Sequence, residues 1–115
     1  MGGAMTEFII PIKLPSIANM RGHWSKKARI VKAQRTTVGW YLRTQLRPAL
    51  PVAITITRIA PRMYDKDNNV ASLKATIDAI AEWLNVDDRD PRITWTYAQE
   101  RGAPKAYAVR IEVRS

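Results

Sequence analysis

Near the start of the chain apolar residues fall at every second position. Phe8, Ile10, Ile12 and Leu14 share one face of an extended backbone, which predicts a strand from Glu7 to Leu14. Pro11 inside that run has no amide to donate, so the strand belongs at a sheet edge. Leu14-Pro15-Ser16-Ile17-Ala18-Asn19 then reads as a turn or loop. From about Lys26 to Arg47 the spacing turns helical: Ala28, Val31, Val38, Leu42 and Leu46 form a stripe that Gly39 weakens. Ser25 is placed to cap this helix and Pro48 to stop it. Alternation returns at Val52, Ile54 and Ile56, predicting a strand over Pro51 to Ile59. Val70, Leu73, Ile77, Ile80 and Leu84 are spaced three and four apart, the strongest helical signal, over about Asn69 to Leu84. Ile93, Trp95 and Tyr97 predict a third strand, and Tyr107, Val109, Ile111 and Val113 a fourth, with Arg101-Gly102-Ala103-Pro104 as the turn between them. The order β-α-β-α-β-β predicts a small single α+β domain over residues 1–115, a mixed sheet with two helices packed on it. Residues 1–5 are expected to be disordered, an upstream start or a cloning remnant.

Composition narrows the chemistry. The chain has no cysteine, which removes disulfides, thiolate metal sites and a cysteine nucleophile, and its single histidine, His23, cannot build a two-histidine metal site. No apolar run reaches membrane-span length and the N-terminus lacks the pattern of a secretion signal, so a soluble cytoplasmic protein is expected. The net charge is +9, and it is uneven. Residues 1–49 hold nine bases against one acid, Glu7, whereas residues 50–115 hold ten bases and nine acids. A basic half of this kind suits a polyanion, nucleic acid before membrane. Lys26, Lys27, Arg29, Lys32 and Arg35, at the start of the first helix, can line a phosphate track.

Against that basic background, six aspartates crowd between positions 65 and 90: Asp65, Asp67, Asp78, Asp87, Asp88 and Asp90. Carboxylates repel phosphate and one another unless a cation sits among them. In extended backbone Asp65 and Asp67 would project to the same side and offer two carboxylates to one point. Asp87-Asp88 lie beyond a helix and can join them only if the start of the third strand returns beside the end of the second. Oxygen donors without histidine or cysteine favour Mg²⁺, or Mn²⁺, over Zn²⁺. The bland alternative is that Asp67 or Asn68 caps the helix. A calcium loop at Asp65-Lys66-Asp67-Asn68-Asn69 fails, because Val70 and Thr76 stand where a glycine and a bidentate glutamate are needed. Lys74 and Asp78 can form an i,i+4 surface pair, or Lys74 can stabilise charge on a phosphate.

Asp65-Lys66-Asp67-Asn68, then Leu73-Lys74-Ala75 with Asp78-Ala79-Ile80, then Asp87-Asp88, resembles the RusA-type Holliday junction resolvases of phages and prophages. The early strand, Pro15-Ser16 with Asn19, and the basic segment with His23-Trp24 and Arg35 extend the resemblance over most of the chain. It implies a Mg²⁺-dependent homodimer that resolves four-way DNA junctions by paired cleavage in a bacterial or phage-infected cell. It implies Asp65, Asp67 and Asp88 as the essential acids that hold the metal and Lys74 as the catalytic lysine, with Asp87 and then Asp90 as substitutes for Asp88. Two other readings stay open: a non-catalytic basic DNA-binding protein with a structural acidic loop, and a nuclease of the same fold acting on other branched DNA. His23 reads as a backbone or surface contact. Trp24, Trp40, Trp83 and Trp95 could stack on unpaired bases, and Trp83 and Trp95 also suit the core.

Overall fold

The computed structural model describes residues 5–15 and 24–115. Residues 1–4, and the expectations placed on Ser16, Asn19 and His23, lie outside the described residues. Four strands, β1 (Met5–Ile10), β2 (Val52–Ala60), β3 (Ile93–Arg101) and β4 (Ala108–Arg114), form one mixed sheet in the order β1-β4-β2-β3. β4 runs antiparallel to both β1 and β2, while β2 and β3 are parallel. The parallel pair needs a crossover, supplied by α2 (Lys66–Ser72) and α3 (Lys74–Leu84); α1 (Trp24–Arg43) joins β1 to β2. The protein is an α+β domain, and Pro11 does sit beyond the end of an edge strand.

Alternation decides which strand face is buried. Val52, Ile54 and Ile56 of β2, Val109, Ile111 and Val113 of β4 and Ile10 of β1 form one core with Val38 and Leu42 of α1 and Ile77, Ile80 and Leu84 of α3. At roughly 1.5–3 kcal/mol for each fully buried aliphatic side chain, this cluster is the main source of stability. The other sheet face keeps Met5 and Ile9 about half exposed. No helix among the described residues is long and apolar enough to cross a membrane.

Several element limits differ from the sequence expectation, each for a local reason. β1 ends at Ile10 because Pro11 cannot continue the ladder, although Leu14 is still buried. α1 begins at Trp24, so Ser25 lies inside its first turn, and it ends at Arg43, before Pro48. There the amides of Thr44 and Gln45 turn back to the carbonyls of Tyr41 and Leu42, tightening the last turn. Leu46, expected in the apolar stripe, is therefore outside the helix and 96% exposed. The buried face of α1 is Gln34, Val38 and Leu42. The second predicted helix starts earlier, at Lys66, and is two helices. Ser72 Oγ donates to the Asn69 carbonyl at 2.7 Å, and the Leu73 amide turns to Val70 instead (3.1 Å). Leu73 (φ −91°, ψ −1°) leaves the helical ladder while its side chain stays fully buried, so the apolar period survives the break.

Candidate functional site

The acidic segment is anchored against the edge strand β3. Arg58, buried on β2, donates from Nη1 to the Arg62 carbonyl (2.9 Å) and lays its guanidinium 3.6 Å from the centre of the Tyr64 ring. On the neighbouring strand Gln99, the register partner of Arg58, accepts from the Tyr64 amide and donates to the Tyr64 carbonyl, both at 2.8 Å. These contacts fold the chain back across β3 directly before Asp65. Asp65 is the N-cap of α2: its Oδ1 accepts the Asn68 amide at 2.8 Å and its Oδ2 the Asn68 side-chain amide at 3.0 Å. Four residues on, Asn69 Nδ2 donates to the Ala98 carbonyl of β3 (3.3 Å), while Asn69 Oδ1 is buried without a partner.

The second acidic group reaches the same strand from the loop after α3. Asn85 ends that helix in the left-handed conformation (φ 59°), which asparagine tolerates. Asp87 Oδ1 accepts the Arg89 amide at 2.8 Å, and this bond, with help from Asp88, holds the Asp87 carboxyl below the usual carboxylate range. Asp90 bonds the Arg92 side chain at 2.7 Å and the Arg92 amide at 2.9 Å, which lowers its pKa to about 2. Asp87 and Asp90 are thus committed to shaping the turn. Asp88 is fixed through its backbone, whose carbonyl accepts from Trp95 Nε1 at 2.9 Å. Its carboxylate lies close enough to Tyr97 to reinforce the upward shift that burial imposes on that phenol.

Two expectations are corrected here. β2 and β3 are parallel from Val52–Ile93 to Ala60–Arg101, so the start of the third strand lies beside the start of the second, not its end. The acidic groups share β3 because residues 61–69 fold back over it. Gln99 marks the level of Tyr64 and Trp95 that of the Asp88 backbone, about 13 Å apart along one strand face. Nor do Asp65 and Asp67 share an extended backbone: Asp65 is the cap and Asp67 lies in the first helical turn, where residues two apart do not face each other. The cap is Asp65 rather than Asp67 or Asn68. Among the described residues no three acidic or histidine side chains are grouped closely enough to hold an ion between them.

Lys74 opens α3 at the Leu73 break, with Nζ 3.1 Å from Asp78 Oδ1 and its side chain largely exposed. The five candidate DNA-contacting cations differ in their surroundings. Lys27 is half-buried and falls in helical register with Gln34 and Val38 on the core side. Arg35 donates from Nη2 to Glu82 of α3 at 2.8 Å. Lys26, Arg29 and Lys32 remain exposed. Sequence reading passed over Gln99 and Asn69, whose partners depend on the parallel register. It offered Trp40 only as one of four tryptophans able to stack on a base, although Lys32, Thr36, Gly39, Trp40 and Arg43 repeat at three- and four-residue intervals along one helix face.

No known family's sequence profile matches the chain. No curated protein matches it either. Among solved structures it is similar to a 2C-methyl-D-erythritol-2,4-cyclodiphosphate synthase, with 17% identity over 78% of this chain and 47% of the other, at a TM-score of 0.34. It is also similar to the same synthase from Plasmodium vivax, with 11% identity over 73% of this chain and 52% of the other, at a TM-score of 0.33. The chain thus spans about half the length of each.

Proposed function

We propose that this protein is a metal-dependent endodeoxyribonuclease of the RusA type that cuts branched DNA, the four-way junction first, in the cytoplasm of a bacterial or phage-infected cell. One observation carries the reading: in a chain of net charge +9, the loop before α2 and the loop after α3 are both anchored to the same edge strand, with Asp65 and Asp88 on them. A purely DNA-binding surface gains nothing from placing carboxylates there.

The donor chemistry suits a hard divalent cation. Asp65, Asp67 and Asp88 offer carboxylate oxygens, and the orphaned, buried Asn69 Oδ1 is a further oxygen close to Asp65 and Asp67 in sequence. Mg²⁺ or Mn²⁺ there would be bound by few carboxylates, with water and substrate phosphate completing the shell. When bound, such an ion supplies charge neutralisation at phosphate and a more acidic water. Lys74, the exposed cation of the α2–α3 break, would stabilise developing phosphate charge after exchanging Asp78 for substrate. A junction has two strands to cut, and a two-fold dimer supplies two sites.

A second reading rests on a specific observation. Asp65 already serves as a helix cap, Asp90 pairs Arg92 and Lys74 pairs Asp78, which is what a structural acidic loop in a non-catalytic DNA-binding protein would show. Incubating purified protein with labelled four-way junction, flap and matched duplex, in Mg²⁺ and in EDTA, separates them. The nuclease nicks the junction in Mg²⁺ alone. Equal binding with no nicking in either condition supports the second reading, and preference for the flap moves the substrate to other branched DNA.

A further inference from the structure

An open groove of about 740 Å³ runs between α1 and α3, and no residue of the acidic loops lines it. Its α1 wall is the stripe Lys32, Arg35, Gly39, Trp40 and Arg43; Arg47, beyond the helix, also lines it, and Glu82 and Trp83 come from α3. Four of these residues are cations, and the single lining carboxylate, Glu82, is already paired by Arg35. The groove is therefore a net positive cleft beside an aromatic ring. Trp40 is 63% exposed, and the Arg43 guanidinium lies 5.1 Å from the centre of its ring.

Gly39 supplies an independent argument. A glycine inside a helix loses stability relative to alanine, and a neighbour that must approach closely is one reason to find it there. No neighbour does so: a Cβ built on Gly39 meets nothing within 4 Å. The space above it belongs to the groove, one residue from the Trp40 ring. An open basic cleft beside an exposed tryptophan has the features of a stacking platform for nucleic acid.

We propose that this groove binds single-stranded DNA, with an unpaired base stacked on Trp40 and its flanking phosphates on Lys32, Arg43 and Arg47. Duplex DNA cannot use the ring, because its bases are already stacked, so duplex contact there is limited to phosphate. The inference goes beyond the nuclease reading and uses none of the acidic residues, so either can fail alone.

The test is fluorescence anisotropy of a short labelled oligothymidylate and of a matched duplex, with parent, Trp40→Ala, Trp40→Phe and Gly39→Leu. Circular dichroism confirms the fold of each; Gly39→Leu fills the cleft without changing charge and replaces glycine by a better helix former. Trp40→Ala should weaken single-strand binding roughly 5- to 150-fold, the range for loss of one base stack. Trp40→Phe should retain most of the affinity, Gly39→Leu should weaken it comparably to Trp40→Ala, and duplex affinity should stay within about twofold of the parent in all. Single-strand binding unchanged in folded Trp40→Ala and Gly39→Leu overturns the proposal, as does equal weakening for both DNAs, which marks a plain phosphate track. Junction cleavage by the same preparations reports on the nuclease reading separately.

Discussion

Gln99 grips Tyr64 at both ends of one residue: it accepts from the Tyr64 amide and donates to the Tyr64 carbonyl, each at 2.8 Å. The two residues are 35 apart in sequence, and their contact holds the return of the chain over β3 directly before Asp65. Replacing Gln99 by leucine keeps side-chain bulk but strands both backbone groups. Each partly buried group left unsatisfied costs about 1–3 kcal/mol, so Gln99→Leu should lower stability by at least ~1 kcal/mol in urea unfolding. On the nuclease reading it also lowers junction cleavage more than junction binding, because it frees the loop that carries Asp65 and leaves the basic surface intact.

Gly39→Ala should stabilise the protein. The added methyl meets nothing within 4 Å, and alanine in a helix interior is better than glycine by about 0.5–1 kcal/mol. Thermal unfolding checks this directly; a fall in midpoint would mean that the glycine serves the packing of α1.

The Asp90–Arg92 pair predicts a pH window. Hydrogen bonding to Arg92 lowers the Asp90 pKa from 3.8 to about 2 in the folded protein. A depressed folded-state pKa gives stability that is complete above the unfolded value and lost as pH falls through the folded one. The contribution of Asp90 should therefore be present above about pH 4 and disappear toward pH 2. NMR titration of the Asp90 carboxyl carbon, with Arg92→Gln returning it toward an ordinary value, measures it.

Lys74 has two partners in prospect. As an exposed ion pair with Asp78 it contributes under about 1 kcal/mol to stability, so Lys74→Ala should unfold close to the parent. As a cation on developing phosphate charge its removal should slow single-turnover cleavage by roughly 10²–10³, a loss of about 2.7–4 kcal/mol. Lys74→Arg should also be impaired, since a planar guanidinium does not replace a compact ammonium at one point. Cleavage by Lys74→Ala within threefold of the parent would leave the residue a surface pair.

How far the sequence could be read depended on the range of the forces involved. Alternation at Val52, Ile54 and Ile56, and at Val109, Ile111 and Val113, marked the central strands, because burial of one sheet face imposes a period of two. The three-four spacing through Leu73 marked the buried face of the crossover helices but not their break. That break turns on one side-chain bond from Ser72 to Asn69, which competes with the ladder without changing hydrophobic period. The acids were visible as a cluster, but their placement was not: the cap at Asp65 puts Asp67 inside a helix, and the approach of both loops to β3 depends on a parallel register no local pattern specifies. The grooved face of α1 was legible as a spacing, and its openness depended on how α3 packs beside it.

The measurement that bears most directly on the nuclease account uses the one substitution that separates its two readings. Asparagine caps a helix about as well as aspartate, so Asp65→Asn keeps the bond to the Asn68 amide, gives up the exposed one from the Asn68 side chain, and removes the charge that would hold a metal. Single-turnover cleavage of a labelled four-way junction in Mg²⁺ is compared for parent and Asp65→Asn, with thermal unfolding and gel-shift binding on the same preparations. The account predicts a folded protein with a melting midpoint within a few degrees of the parent, about what loss of one exposed hydrogen bond costs, junction binding equal to or tighter than the parent, and no cleavage. Cleavage by a parent that nicks in Mg²⁺, matched within threefold by Asp65→Asn, would contradict it and leave Asp65 a helix cap alone.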